Sequence, residues 1–141
     1  MNNIEKFIEF INDLTTELYY ERLRVDGKYI YTHGAALTFI KIIENYFNID
    51  NIYIKNDNEH CAFKYKDYLY DACGIIKNIE DYKIANSEDI IYMRNMFGDH
   101  LKDRHIYDTV INEMNKIDNI PYLNNEKIKK YEKRFLSFND I

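Results

Sequence analysis

From Gly34 to Phe47 the chain is apolar nearly all round, with Ala35, Ala36, Leu37, Phe39, Ile40, Ile42, Ile43, Tyr46 and Phe47. A helix at a protein surface keeps a polar face, so a helix without one lies at the centre of its fold. The rest of the chain has to cover it. Ahead of it, Ile4, Phe7, Ile8, Ile11, Leu14 and Leu18 recur at three- and four-residue spacing, which predicts an amphipathic helix over 3–24. Asp26-Gly27 reads as its stop, and Lys28-Tyr29-Ile30-Tyr31 as a short extended or loop segment.

Past the apolar helix the pattern changes to alternation. Ile52 and Ile54 mark one strand, 60–65 a second and 68–73 a third, until Gly74 interrupts. Helical spacing returns near 88–98 and 104–116, with Ser87 as the N-cap. The only proline, Pro121, precedes a last helix near 124–136. The expected class is α+β: a buried central helix packed on a small antiparallel sheet of about three strands, with flanking N- and C-terminal helices. The 141 residues contain no linker, repeat or low-complexity block and read as one domain, 1–141.

Composition narrows the function classes. With 24 acidic against 19 basic residues the net charge is -5, which argues against a general nucleic-acid or anionic-membrane binder. The first helix carries charges inside its apolar stretch, so it is neither a signal peptide nor a membrane span. Two cysteines make no disulfide framework and point to a reducing cytoplasm. Asn, Ile, Lys and Tyr dominate, as in an AT-rich genome such as that of a low-GC bacterium or one of its phages.

The stretch EHCAFKYKDYLYDACG, 59–74, holds the side chains with chemistry. A two-residue turn at Lys66-Asp67 pairs Tyr65 with Tyr68, Ala62 with Asp71 and His60 with Cys73. Side chains alternate, so His60, Ala62, Lys64, Leu69, Asp71 and Cys73 share one face, and Cys61, Phe63, Tyr65, Tyr68 and Tyr70 the other. His60 and Asp71 are then diagonal neighbours, about 7–8 Å apart at the backbone and within reach of each other. A carboxylate beside a histidine fixes its tautomer and stabilises the imidazolium, the base and orienter of a catalytic triad. As a bare hairpin, the same two residues are an ordinary solvated pair. Cys61 and Cys73 fall on opposite faces and should not bond; each reads as a small filler.

Two features extend over a third of the chain: Thr32-His33-Gly34-Ala35-Ala36-Leu37-Thr38-Phe39 opening the apolar helix, and a strand starting at His60 followed by Asp71-x-x-Gly74. Together they resemble the papain-like and transglutaminase-like cysteine hydrolases in their small bacterial and phage versions. The resemblance implies acyl transfer on an amide: peptide cleavage, deamidation or transamidation. It implies His60 as general base, Asp71 as its orienter and the helix end as the nucleophile's place. A thiolate there is stabilised by the helix N-terminus and a facing imidazolium, and backbone N–H groups serve as an oxyanion hole. The nucleophile position falls on Ala36. Either this is an inactivating Cys-to-Ala substitution, or the chain is a natural pseudoenzyme that binds in its cleft. Cys73, expected opposite His60, is a third candidate without helix-end activation.

A reading from another class is a bacterial or phage module that docks on a protein, for example a host defence factor, without turnover. The tyrosines of the second hairpin face would be its anchors. Either way the expected partner is a protein or peptide, in the cytoplasm of a bacterium or a phage-infected host. No cofactor is expected. A zinc site from His60, Cys61 and Cys73 is rejected, because Cys61 points away and no C-x-x-C spacing exists. His33, one turn before Ala36, lines the same cleft or faces solvent near a helix N-cap. Met93, Met96 and Phe97 read as core, and His100 and His105 flank a helix junction without a motif. The basic run Lys127–Arg134 reads as a solvated helix face or a contact for an acidic partner.

Overall fold

The computed structural model describes residues 2–97 and 101–116. The expected last helix, Pro121, His100 and the basic run Lys127–Arg134 lie outside them. The elements run α1 (Asn3–Leu23), α2 (Gly27–Thr32), α3 (Ala36–Glu44), β1 (Asn51–Lys55), β2 (Cys61–Tyr65), β3 (Tyr68–Asp71), β4 (Gly74–Ile75), a 3-10 turn at Ile79–Asp81, β5 (Tyr82–Ile84), α4 (Ser87–Phe97) and α5 (Leu101–Asn115). The fold is α+β. Its antiparallel sheet has five strands in the order β4-β3-β2-β1-β5, two more than the alternation showed.

α1 starts on a reciprocal cap, in which Asn2 Oδ1 accepts from Glu5 N–H at 3.0 Å and Asn2 N–H reaches Glu5 Oε1 at 3.5 Å. It ends at Arg24, which is left-handed at φ 59 and donates its N–H to Tyr20 O at 2.7 Å. Asp26-Gly27 is therefore a start signal rather than the stop. The Asp26 side chain accepts from Tyr29 N–H at 2.8 Å, and 27–32 forms the helix α2 where an extended or loop segment was expected. Likewise Asn86, not Ser87, caps α4: Asn86 Oδ1 accepts from Asp89 N–H at 2.9 Å, and Asp89 Oδ2 accepts from Asn86 N–H at 3.0 Å.

α3 occupies the centre, with Ala36, Leu37, Phe39, Ile40, Ile42 and Ile43 all buried. β2 lies against it on the sheet side, and α2, α4 and α5 pack on it elsewhere. Phe7 of α1 meets the rings of Tyr46 and Phe47 just past its end, at 5.2 and 5.1 Å between centroids. Each such side chain contributes on the order of 1.5–3 kcal/mol by leaving water. Cys61, Phe63 and Tyr70 join the same core. The second hairpin face therefore covers the helices, and of its tyrosines only Tyr68 stands well exposed, at 56%. Met93 is buried as expected, whereas Met96 is exposed.

The α1–α2 corner has no spare room. Gly27 N–H donates to Thr16 Oγ1 at 2.7 Å, and a Cβ on Gly27 would collide with the Asn12 carbonyl oxygen and press on Thr15 Cβ. The nearest atom is backbone, so one of the two helices must shift. Gly27→Ala is expected to cost about 1–3 kcal/mol, read as a lower midpoint in urea unfolding at unchanged slope.

Candidate functional site

The site forms where the β1–β2 and β3–β4 turns meet at one end of the sheet. In the first, Asn58 adopts φ 60, Asn58 N–H donates to Lys55 O at 2.8 Å, and Lys55 N–H donates to His60 O at 2.8 Å. His60 is thus delivered to the open end of β2, one residue ahead of Cys61. At the opposite end of β2 lies the turn Lys66-Asp67, with Lys66 left-handed at φ 55. It sets Tyr65 against Tyr68, Lys64 against Leu69 and Phe63 against Tyr70, the register expected from the two-residue loop.

The turn after β3, back at the His60 end, departs from expectation. β3 ends at Asp71, and Ala72-Cys73 turns the chain into β4, with Asp71 opposite Gly74 at φ 103. Cys73 therefore belongs to the turn and does not extend β3 to face His60. Asp71 Oδ1 accepts from Cys73 N–H at 2.8 Å, and Ala72 O accepts from Asn12 Nδ2 of α1 at 2.8 Å. One carboxylate oxygen thus shapes the turn and the other is left for a side chain. Asp71 Oδ2 lies 3.0 Å from His60 Nε2, with side-chain exposures of 15% and 17%.

An ionised carboxylate only accepts, so in the neutral imidazole Nε2 carries the proton and Nδ1 keeps the lone pair. Among the described residues no group takes that lone pair. An oriented imidazole with a free basic nitrogen is what proton abstraction requires.

Ala36, the expected nucleophile position, is the first residue of α3 and only 4% exposed. Phe47, past the other end of α3, packs edge-on against Tyr65 at the end of β2, 5.5 Å between centroids. Ala35 at the helix start offers no side-chain cap, so the first-turn N–H groups have no side-chain acceptor of that kind. Ala36 shares the core with Cys61, and alternation sends the next residue back, His60, to the other side of β2. The structure thus joins His60 to Asp71 and leaves Ala36 in the core.

His33 closes α2 and is exposed. Its ring stacks on Tyr29 at 3.8 Å, and Nδ1 lies 3.0 Å from Tyr29 O and 3.1 Å from Thr32 Oγ1. His105 lies in α5, its Nδ1 3.0 Å from Tyr19 Oη. Among the described residues no three His, Cys, Asp or Glu side chains converge as metal ligands, and no helix is long and apolar enough to cross a membrane. Sequence reasoning passed over Tyr82. It stands in the row of Lys55 and His60, but a three-residue strand leaves no alternation to find it by.

Neither thiol is activated. Burial, with the Asp71 carboxylate second, pushes the Cys61 thiol up to about 12, and the same two causes raise Cys73, which is exposed. With 5,5′-dithiobis(2-nitrobenzoate) near pH 8, Cys73 is expected to react in the native protein and Cys61 only on unfolding, giving one fast and one protected thiol by mass spectrometry. The raised folded-state value of Cys61 also means that its stabilisation holds below the unfolded thiol range near 9 and is lost as pH rises toward 12. Unfolding free energy should fall by about 1.4 kcal/mol per pH unit in that window, and Cys61→Ala should remove this component of the slope. The chain matches no family model, no curated protein and no solved structure.

Proposed function

We propose that this chain is a cysteine-hydrolase-like domain in a nucleophile-lacking form, built for an amide-bearing protein or peptide ligand, with Ala36 where the thiol would stand. The observation that carries the reading is the His60–Asp71 pair, 3.0 Å apart, with Nδ1 free among the described residues. In this role His60 is the general base, Asp71 holds its tautomer, and the first-turn N–H groups of α3 take the developing oxyanion. The ancestral chemistry is acyl transfer: peptide cleavage, deamidation or transamidation. The chain as it stands has no activated thiol among its described residues, so it binds without turnover. Two unpaired cysteines fit a reducing compartment, the cytoplasm of a bacterium or a phage-infected host in this reading.

Restoring the thiol tests it. In Ala36→Cys the thiol gives its proton to His60, sulfur bonds the acyl carbon of a p-nitrophenyl ester, and the acyl–oxygen bond breaks. His60 then returns the proton to the departing nitrophenolate. Stoichiometric acylation at position 36 is expected by mass spectrometry, with a loss of about 100-fold or more in rate when His60→Ala is added. Acylation no faster than that of the unfolded variant would sink the reading.

One observation favours a second reading. Ala36 faces the core on the Cys61 side of β2, while His60 stands on the other side. A fold in which the two never met is a binding module that docks on a protein partner without any catalytic history. The same experiment decides: no gain on Ala36→Cys, in a variant that still folds, selects the module.

A further inference from the structure

Tyr82 begins β5, whose register on β1 sets it opposite Lys55. Lys55 in turn donates its N–H to His60 O at 2.8 Å. Partners on adjacent antiparallel strands share a face, so Tyr82, Lys55 and His60 form one row across three strands, with Asp71 joined to its His60 end. The segment leading to Tyr82 is pinned to the first hairpin. Asp81 O accepts from Asn56 N–H at 2.7 Å, Glu80 O accepts from Asn56 Nδ2 at 3.2 Å, and Tyr82 N–H closes the 3-10 turn on Ile79 O.

Tyr82 is half-buried, and its hydroxyl has no hydrogen-bond partner among the described residues. Burial first, then the Asp71 carboxylate, with Asp57, Cys61 and Asp81 behind it, pushes the phenol up to about 12. The group is therefore a neutral O–H donor throughout the physiological range, set in the field of the carboxylate that orients His60.

We propose that Tyr82 is the ligand-orienting residue of the His60–Asp71 site, donating its O–H to a carbonyl oxygen of a peptide whose amide lies at His60. The proposal rests on the reading of that site as a place for an amide ligand. It adds the ligand's chemistry: the Asp71, Asp57 and Asp81 carboxylates around the hydroxyl disfavour an anionic acceptor, so its partner is uncharged, a peptide carbonyl rather than a carboxylate or phosphate.

The test uses the full chain with Ala36 unchanged and an acetylated, amidated glycine–glutamine–glycine peptide as probe. Titration followed by the His60 ring signals in NMR is expected to show a saturable shift. Tyr82→Phe removes only the hydroxyl and should weaken Kd by about 3- to 10-fold, the loss of one neutral hydrogen bond, with the free-state His60 signals and thermal midpoint unchanged. Equal affinity in Tyr82→Phe would overturn the assignment of Tyr82 and leave the site reading standing. A free-state shift of the His60 signals in Tyr82→Phe would also overturn it, because Tyr82 would then be acting on the pair rather than on the ligand. Absence of any His60 shift in the unsubstituted chain would overturn both.

Discussion

Covering α3 is the constraint on which the rest depends. A helix apolar on every side leaves no orientation in which it meets water without cost, so the sheet must close one side and helices the others. That requirement explains why the sheet buries Cys61, Phe63 and Tyr70 rather than presenting them. It also explains the buried polar link at the α1–α2 corner, where Thr15 Oγ1 and Tyr31 Oη lie 2.8 Å apart beneath Phe39. A hydroxyl carried under that layer needs a partner in place, and burial moves the Tyr31 phenol further from ionisation.

The site is a by-product of how the sheet ends. Two turns meet there, held by the left-handed Asn58 and by the Asp71–Gly74 corner. Asp71 serves the corner with one oxygen and His60 with the other, so structure and chemistry share one carboxylate. Asn12 ties that corner to α1 through Ala72 O, although its own Oδ1 is buried without a partner among the described residues. A carboxylate committed on both oxygens is a rigid orienter, which a flexible surface pair is not.

Legibility in the sequence followed element length and cap chemistry. The hairpin register could be read because Lys66-Asp67 allows one two-residue turn and the alternation runs long enough on both sides. The contact of His60 with Asp71 followed from it. β4 and β5, two and three residues long, carry no period to detect. α2 was hidden because Asp26-Gly27 fits both a helix end and a helix start, and only the bond from Tyr29 N–H to the Asp26 carboxylate tells them apart. The tyrosine face was misjudged for a different reason: alternation says which residues share a face, and not which face the helices will cover.

The same limit bears on Ala36. Its place at the start of a buried helix could be read from the pattern, and the structure adds its side of the sheet. A nucleophile and its base need contact as well as proximity, so the meaning of the His60–Asp71 pair turns on the strand end. There His60 stands one residue ahead of β2, held by the Lys55 N–H on its carbonyl oxygen and past the last ladder pair, Ile54 with Cys61. A side chain at an open strand end reaches past the edge of the sheet more readily than one inside it. The free Nδ1 is the group that such a reach would bring toward the first turn of α3, and that single approach separates a site that has lost its thiol from one that never held it.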